Sequence, residues 1–252
     1  MENPAERASA LPFWRPPAHS LPAGAWFGMT TREGGRSRGP YASFNVSLGV
    51  GDDAEAVAWN RATLRAALGY PGGTPPLLHQ VHGAAIVRPE EAPAEADGFA
   101  VRRGDPWVAV SAADCAPVAL VAADGGSGAL LHSGWRGARA GIAARAVERL
   151  VAGGADARGI VAVVGPCLHA CCFPVGADVA AEFDASVRRP HPSGQEAIDL
   201  PAAIRRSLLA AGVDAARVHV AAECTSCETG RFYSHRRDKG ITGRHWAFLR
   251  LL

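Results

Sequence analysis

The sequence predicts a mixed α/β (α+β) fold, a single layered domain in which mixed β-sheets are flanked by helices. Three observations carry that expectation. Short β-like apolar runs alternate with helix-period segments along the chain. No internal repeat and no linker divides it. Its 252 residues, 48% apolar and 20% charged, suffice for one substantial core.

The elements follow in order. Residues 1–24, rich in Pro, Ala and Ser, read as an N-terminal extension, partly disordered or wrapped over the surface. Ala25–Thr31 reads as a strand entering the turn-rich Gly34–Gly39. Asp53–Leu68 sets Ala54, Val57, Ala58, Leu64, Ala67 and Leu68 at helical spacing behind an acidic first turn. Short strands are expected at Pro76–Leu78, Ala84–Val87, Trp107–Ser111 and Val118–Ala122, separated by Gly and Pro. A buried strand ends on His132, and Gly137–Ala152 reads as one helix with Ile142, Ala146, Leu150 and Val151 on its apolar stripe. Gly153-Gly154 stops it. A β-branched strand at Gly159–Val164, helices at Val175–Phe183 and Leu200–Ala211, and strands at Arg217–Ala222 and Trp246–Leu252 complete the pattern. No Gly-x-Gly-x-x-Gly fingerprint is present, so a Rossmann cofactor fold is not supported.

Composition narrows the function classes. A net charge of +2 gives no basic stripe, which argues against nucleic acid as the main partner. No apolar run reaches the roughly 18 residues that span a bilayer, and the start lacks the apolar core of a signal peptide. A cytoplasmic protein is the expectation. Six cysteines in such a chain are expected to be thiols rather than disulfides.

Three segments carry chemistry. Leu131-His132-Ser133-Gly134-Trp135-Arg136-Gly137 places an imidazole and a guanidinium where a strand ends and a helix opens, beside N–H groups suited to an anion. His79-Gln80-Val81-His82-Gly83 and Ala113-Asp114-Cys115-Ala116-Pro117 each put a metal-capable side chain at a break between β-like runs. Two histidines with Cys115 would leave zinc one open position, the arrangement of a catalytic site. The separations, 33 residues from His82 to Cys115 and 17 from Cys115 to His132, fit no zinc finger, so the fold must assemble any site. His79 and His82 face opposite ways on a strand, so only one is expected to be a ligand. Cys115 could instead be a small buried hydrophobe, or a nucleophile with His132 as its base. The metal reading is preferred because it uses all three residues.

Taken together, "HQVHG", "ADCAP", "HSGWRG", "GPCLHACCFPVG" and the closing "CT…FYSHRRDKGITGR", in that order, resemble the laccase-domain family. That family is also described as polyphenol oxidases, purine nucleoside phosphorylases and the bacterial peptidoglycan editing factor. "TTREGGRSRGPYASFNVSLGVGDD" is similar to its opening motif, and the likeness runs from about Phe27 to Leu252. The resemblance implies an α/β/β/α sandwich, with residues 25–252 as one catalytic domain. It also implies a metal set of His82, Cys115 and His132, holding zinc, with copper as the alternative ion.

Inside these motifs, Arg32, Arg136, Arg236, Arg237 and Arg244 lie in glycine-flanked loops. Arg136 has the strongest claim to phosphate, since the helix dipole and the guanidinium favour the same charge. Asn45 and Gln80 suit a sugar hydroxyl or base edge, with Arg32, Arg237 and Arg244 as further substrate contacts. Asp114 is a candidate acid/base group or a turn cap, beside Cys115 and His132. The Cys224-x-x-Cys227 pair and the cluster Cys167, Cys171 and Cys172 are expected to be packing residues.

Three activities follow from the resemblance. The first is a zinc-dependent purine nucleoside enzyme that cleaves adenosine, inosine or methylthioadenosine with phosphate and also deaminates adenosine. The second is a copper-dependent phenol oxidase, although the chain has no His-x-His pair and methionines only at Met1 and Met29. The third is an amide hydrolase acting on cell-wall peptide precursors. Partners are expected to be nucleoside and phosphate, not nucleic acid or membrane, and the chain a monomer or weak homodimer.

Overall fold

The computed structural model describes residues 11–17, 19–70 and 73–252. The N-terminal half holds β1 (Phe13–Trp14), β2 (Ala25–Thr30), helix α1 (Ala54–Ala67) and β3 (Ile86–Val87). Next come β4 (Gly98–Arg102), β5 (Val108–Ala112), β6 (Ala116–Val121) and β7 (Ser127–Ser133). Helices α2 (Trp135–Arg139) and α3 (Ile142–Ala152) precede β8 (Val161–Val164), β9 (Pro174–Val175) and helix α4 (Ala177–Ala181). Strands β10 (Arg188–Pro190) and β11 (Glu196–Ile198), helix α5 (Leu200–Ala210), β12 (Val218–Val220) and β13 (His245–Leu251) end the order.

The described strands form a six-stranded sheet, β12-β8-β6-β7-β4-β3, a four-stranded sheet, β1-β2-β13-β5, and a three-stranded sheet, β10-β11-β9. The first is mixed, because β12 runs parallel to β8 and β3 parallel to β4 while the inner pairs are antiparallel.

Period-two alternation builds the layers. On β6, Ala116, Val118 and Leu120 pack with Ile142, Ala146 and Leu150 of α3 and Ile204 and Leu208 of α5. The intervening Ala119 and Val121 pack with Phe27 and Met29 of β2 and Ala247 and Leu249 of β13. β13 repeats the device outward: Trp246 and Phe248 meet Phe44 and Leu64, the latter on α1. Helices, sheet, sheet and helix therefore stack in that order. Because β6 is buried on both faces, it reads as an unbroken apolar run, as doubly covered strands do.

Several elements differ from expectation for identifiable reasons. The helix expected over Gly137–Ala152 is two pieces, α2 and α3, because Gly141 adopts φ 74° and breaks the turn between them. The helix expected over Val175–Phe183 starts only at Ala177, since Pro174 and Val175 pair with Ala197 and Glu196. Pro76–Leu78 is not a strand. Proline there removes a ladder donor, and only the isolated bridge His79↔Glu95 forms. Arg217–Ala222 shortens to β12 behind a 3₁₀ turn at Ala215–Arg217. Strand β4 was not expected at all. In the extension at 1–24, β1 pairs with β2 and Trp14 is buried; the rest of that expectation, residues 1–10, lies outside the described residues.

His245, at the start of β13, is fully buried, and its Nε2 accepts the Tyr233 backbone N–H at 2.8 Å. An accepting ring is neutral. Burial, with the Arg32 charge nearby, holds its pKa at about 3, against 6.5 for a free imidazole. An unfolded chain protonates this ring near its free value, so the contribution is complete above that value and is lost as pH falls towards 3. The slope is about 1.4 kcal/mol per pH unit for one proton. In thermal melts at descending pH, a His245→Gln protein should start less stable but lose stability less steeply. Parallel slopes for the two proteins would contradict this.

Candidate metal centre and cavity

The centre forms where the chain leaves the four-stranded sheet at β5 and enters the six-stranded sheet at β6. Asp114 and Cys115 occupy that crossing. His132 lies on β7, where antiparallel register sets it opposite Pro117 on β6. On the other side, Gly98 of β4 pairs with Leu131, so the preceding residue, Asp97, falls beside His132. The His132 N–H donates to the Asp97 carbonyl at 2.7 Å, extending the ladder by one step.

The Asp97 side chain organises the rest. It is fully buried. Its Oδ1 accepts from His132 Nδ1 at 2.8 Å and from the His82 N–H at 3.0 Å; its Oδ2 accepts from the Gly83 N–H at 2.7 Å and the Val81 N–H at 3.2 Å. Three successive N–H groups can converge on one carboxylate because His82 takes the left-handed conformation, φ 59°. A carboxylate accepts only, so His132 Nδ1 carries the proton and Nε2 is left for Cys115.

The donor atoms of His82, Cys115 and His132 lie within 4.8 Å of one another, and the two imidazoles meet edge to face at 4.9 Å. Two nitrogens and one sulfur at that separation fit a tetrahedral ion with an open position. Gly134 leaves the room: a Cβ there would sit 2.7 Å from Cys115 Sγ and 3.2 Å from His82 Cδ2. Burial would push the Cys115 thiol up, but the charge and hydrogen bond of His132, with help from His82, bring it down to about 6. Burial would push His132 down, but the Cys115 charge and the Asp97 bond carry it up to about 9. Without an ion, the pair is a thiolate and an imidazolium between those values.

The cluster opens into a cavity of about 460 Å³, within the usual range of small-molecule sites. Arg136, Arg236 and Arg244 supply guanidinium groups to its wall; Trp135, Leu168, Phe173 and Leu200 supply an apolar surface; Asp114 and His235 add polar groups. Arg136 stacks on Trp135 and Arg236 on Phe173. Because α2 is only five residues long, the anion-binding character expected there rests on guanidinium groups rather than on a long helix dipole.

The other expected substrate contacts lie elsewhere. Arg32 bonds the carbonyls of Ala42 and Thr229. Asn45 is buried, linking Asp52, the Ser47 carbonyl and the Arg244 N–H. Gln80 closes a two-way bond with the Ser111 backbone, and Arg237 grips Asp238 and the carbonyls of Thr225, Ser226 and Phe232. None of the four lines the cavity. Each is engaged in hydrogen bonds within the chain that hold a loop, and Asn45, the buried one, must satisfy its polar atoms there. Asp114 lines the cavity at φ 90°, with Oδ1 accepting from Thr225 Oγ1 at 2.7 Å and Oδ2 from the Arg236 N–H at 2.6 Å. Those bonds make it an anchor for the Arg236 loop. Asp97, Thr225 and His235 were missed; only register and long-range contact bring them here.

The cysteine-packing expectation holds for Cys167 and Cys224, which are in the core, and for Cys172, which packs against it. The sulfurs of Cys171, Cys172, Cys224 and Cys227 also lie within 4.8 Å of one another, and Cys171 and Cys227 are exposed.

A family model described as multi-copper polyphenol oxidoreductase laccase matches residues 26–252. The purine nucleoside phosphorylase YlmD of Geobacillus stearothermophilus is 37% identical over 250 residues, 90% of each chain. Its crystal structure superposes with a TM-score of 0.86 over 95% of this chain and 96% of that one. A purine nucleoside phosphorylase of Deinococcus radiodurans is 39% identical over 97% of this chain and 94% of its own. The adenosine deaminase RL5, from an unknown prokaryotic organism, is 35% identical over 85% and 89%.

Asp97→Asn keeps the size of the side chain and removes its charge. In metal-free protein, the pH midpoint for alkylation of Cys115 should rise from about 6, because a less basic His132 supports the thiolate less. Metal affinity should fall about 10–100-fold. An unchanged midpoint together with unchanged affinity would remove Asp97 from this role.

Proposed function

Because this chain belongs to the multi-copper polyphenol oxidoreductase laccase family, many of whose members are named for purine nucleosides, we propose that it is a purine nucleoside phosphorylase. We assign it zinc at His82, Cys115 and His132, with adenosine deamination as a second activity. The observation that carries this reading is the sharing of one cavity by the His–Cys–His cluster, three guanidinium groups and an apolar wall.

Phosphorolysis needs an anion site next to a site for a flat heterocycle. Arg136, Arg236 and Arg244 are donors of the right charge for phosphate oxygens. Trp135, Leu168, Phe173 and Leu200 offer the purine a surface that costs it no hydrogen bond. In the reaction, a phosphate oxygen bonds to the ribose anomeric carbon as the bond to the purine nitrogen breaks. The electron pair leaves on the purine, which takes up a proton. The arginines hold the nucleophile and spread its charge, while Asp114 fixes the Arg236 loop as a positioning residue. Zinc, when bound, would supply Lewis-acid chemistry at its open position. For deamination the same cavity would turn the amino-bearing carbon of the purine towards the cluster.

Copper could occupy the same donors, but the guanidinium groups have no role in oxidising a neutral phenol, so phenol oxidation is the secondary reading.

Chromatography of zinc-loaded protein with adenosine should give adenine only when phosphate is present, and inosine without it. His132→Ala should abolish both products. Arg136→Ala should raise the phosphate KM about tenfold or more, the worth of one charged hydrogen bond, at unchanged metal content. No product from any purine nucleoside would refute the reading, and an unchanged phosphate KM would remove Arg136 from it.

A further inference from the structure

The second sulfur cluster stands apart from the cavity and needs its own explanation. Cys171 and Cys172 come from the 3₁₀ turn Ala170–Cys172, and Cys224 and Cys227 from a tight turn 52 or more residues later. An isolated parallel bridge, Cys167↔Cys224, brings the two turns together, with the Thr225 N–H donating to the Cys167 carbonyl at 3.0 Å. Cys227 Sγ lies 3.4 Å from Cys172 Sγ and 3.7 Å from Cys171 Sγ. A disulfide would require about 2.05 Å and would join only two of the four. Four sulfurs around a zinc ion at about 2.3 Å stand roughly 3.8 Å apart, which is close to the spacing found here.

The backbone fixes the second turn as well. The Cys227 and Glu228 N–H groups both return to the Cys224 carbonyl, at 3.1 and 3.0 Å, and wind the C-x-x-C into one turn.

We infer that Cys171, Cys172, Cys224 and Cys227 form a tetrathiolate site for a structural zinc ion, separate from the His82–Cys115–His132 centre. With all four protein ligands supplied, the site is closed, so its role is structural rather than catalytic. On binding, the thiols release their protons and no electrons move. The ion fastens two walls of the cavity to each other. Phe173 directly follows the first turn, and Thr225, which bonds Asp114, lies within the second. This inference does not depend on the nucleoside reading.

Metal content settles it without an activity assay. Full-length protein purified with zinc should carry two zinc ions per chain by mass spectrometry of the metals. His132→Ala should retain one, and Cys227→Ser should retain one, the other centre serving as its control for folding. In wild-type protein the four thiols should resist alkylation until a strong chelator is added, as mapped by peptide mass. Cobalt in the His132→Ala protein should give the intense thiolate charge-transfer and tetrahedral visible bands of an all-sulfur site. One zinc per chain in the wild type, lost entirely in His132→Ala, would overturn the proposal. So would free alkylation of all four thiols in zinc-loaded protein, a disulfide among them in freshly isolated protein, or iron in place of zinc.

Discussion

Asp97 is bonded by four donors from two stretches of chain that share no helix or hairpin: the backbone of Val81, His82 and Gly83, and the ring of His132. A buried ionised carboxylate without such partners would cost several kcal/mol. With them, it orients one histidine through its ring and the other through its backbone. Asp97 is also the residue that the β4–β7 register delivers opposite His132. The hydrogen bond that sets the imidazole is therefore a continuation of the sheet. Loss of the β4–β7 pairing would dissolve the centre as surely as loss of a ligand.

The layer order explains why the site lies where it does. β5 and β6 belong to different sheets, and the chain crosses between them in the short segment that includes Asp114 and Cys115. A crossing of that kind ends two strands at one place. The open ends leave a cavity there, and the loop holding Arg236 and the residue Arg244 close it from the β13 side. Asp114, itself in a left-handed conformation, ties that loop down through Arg236 and Thr225. Thr225 then passes the constraint to the paired cysteines, so the arginine-lined wall, the His–Cys–His cluster and the second sulfur cluster form one connected structure.

Much of this was legible in the residues themselves. The apolar runs at Val118–Ala122 and before His132 read as strands, and His82, Cys115 and His132 stood at breaks between or ends of such runs. What escaped depended on distance along the chain. Asp97 sits in an unremarkable Ala-Asp-Gly, and its partners lie 14 to 16 residues away in Val81, His82 and Gly83 and 35 residues away in His132. The sulfur cluster needed two turns brought together across a single bridge, so each half read as packing. Asn45, Gln80, Arg32 and Arg237 looked like recognition groups because polar side chains in glycine-rich motifs serve loops and ligands alike; here they serve loops. Gly141 could end a helix or lie within one, and its positive φ decided for the former.

The central claim is that one cavity joins a metal held by His82, Cys115 and His132 to a phosphate held by the arginines. Anomalous diffraction at the zinc edge, from crystals grown with zinc and phosphate, tests it most directly. The account predicts a zinc peak bonded to those three side chains and phosphate density within hydrogen-bond reach of Arg136, Arg236 or Arg244. A zinc peak absent from the three ligands, or phosphate bound only outside the cavity, would contradict it.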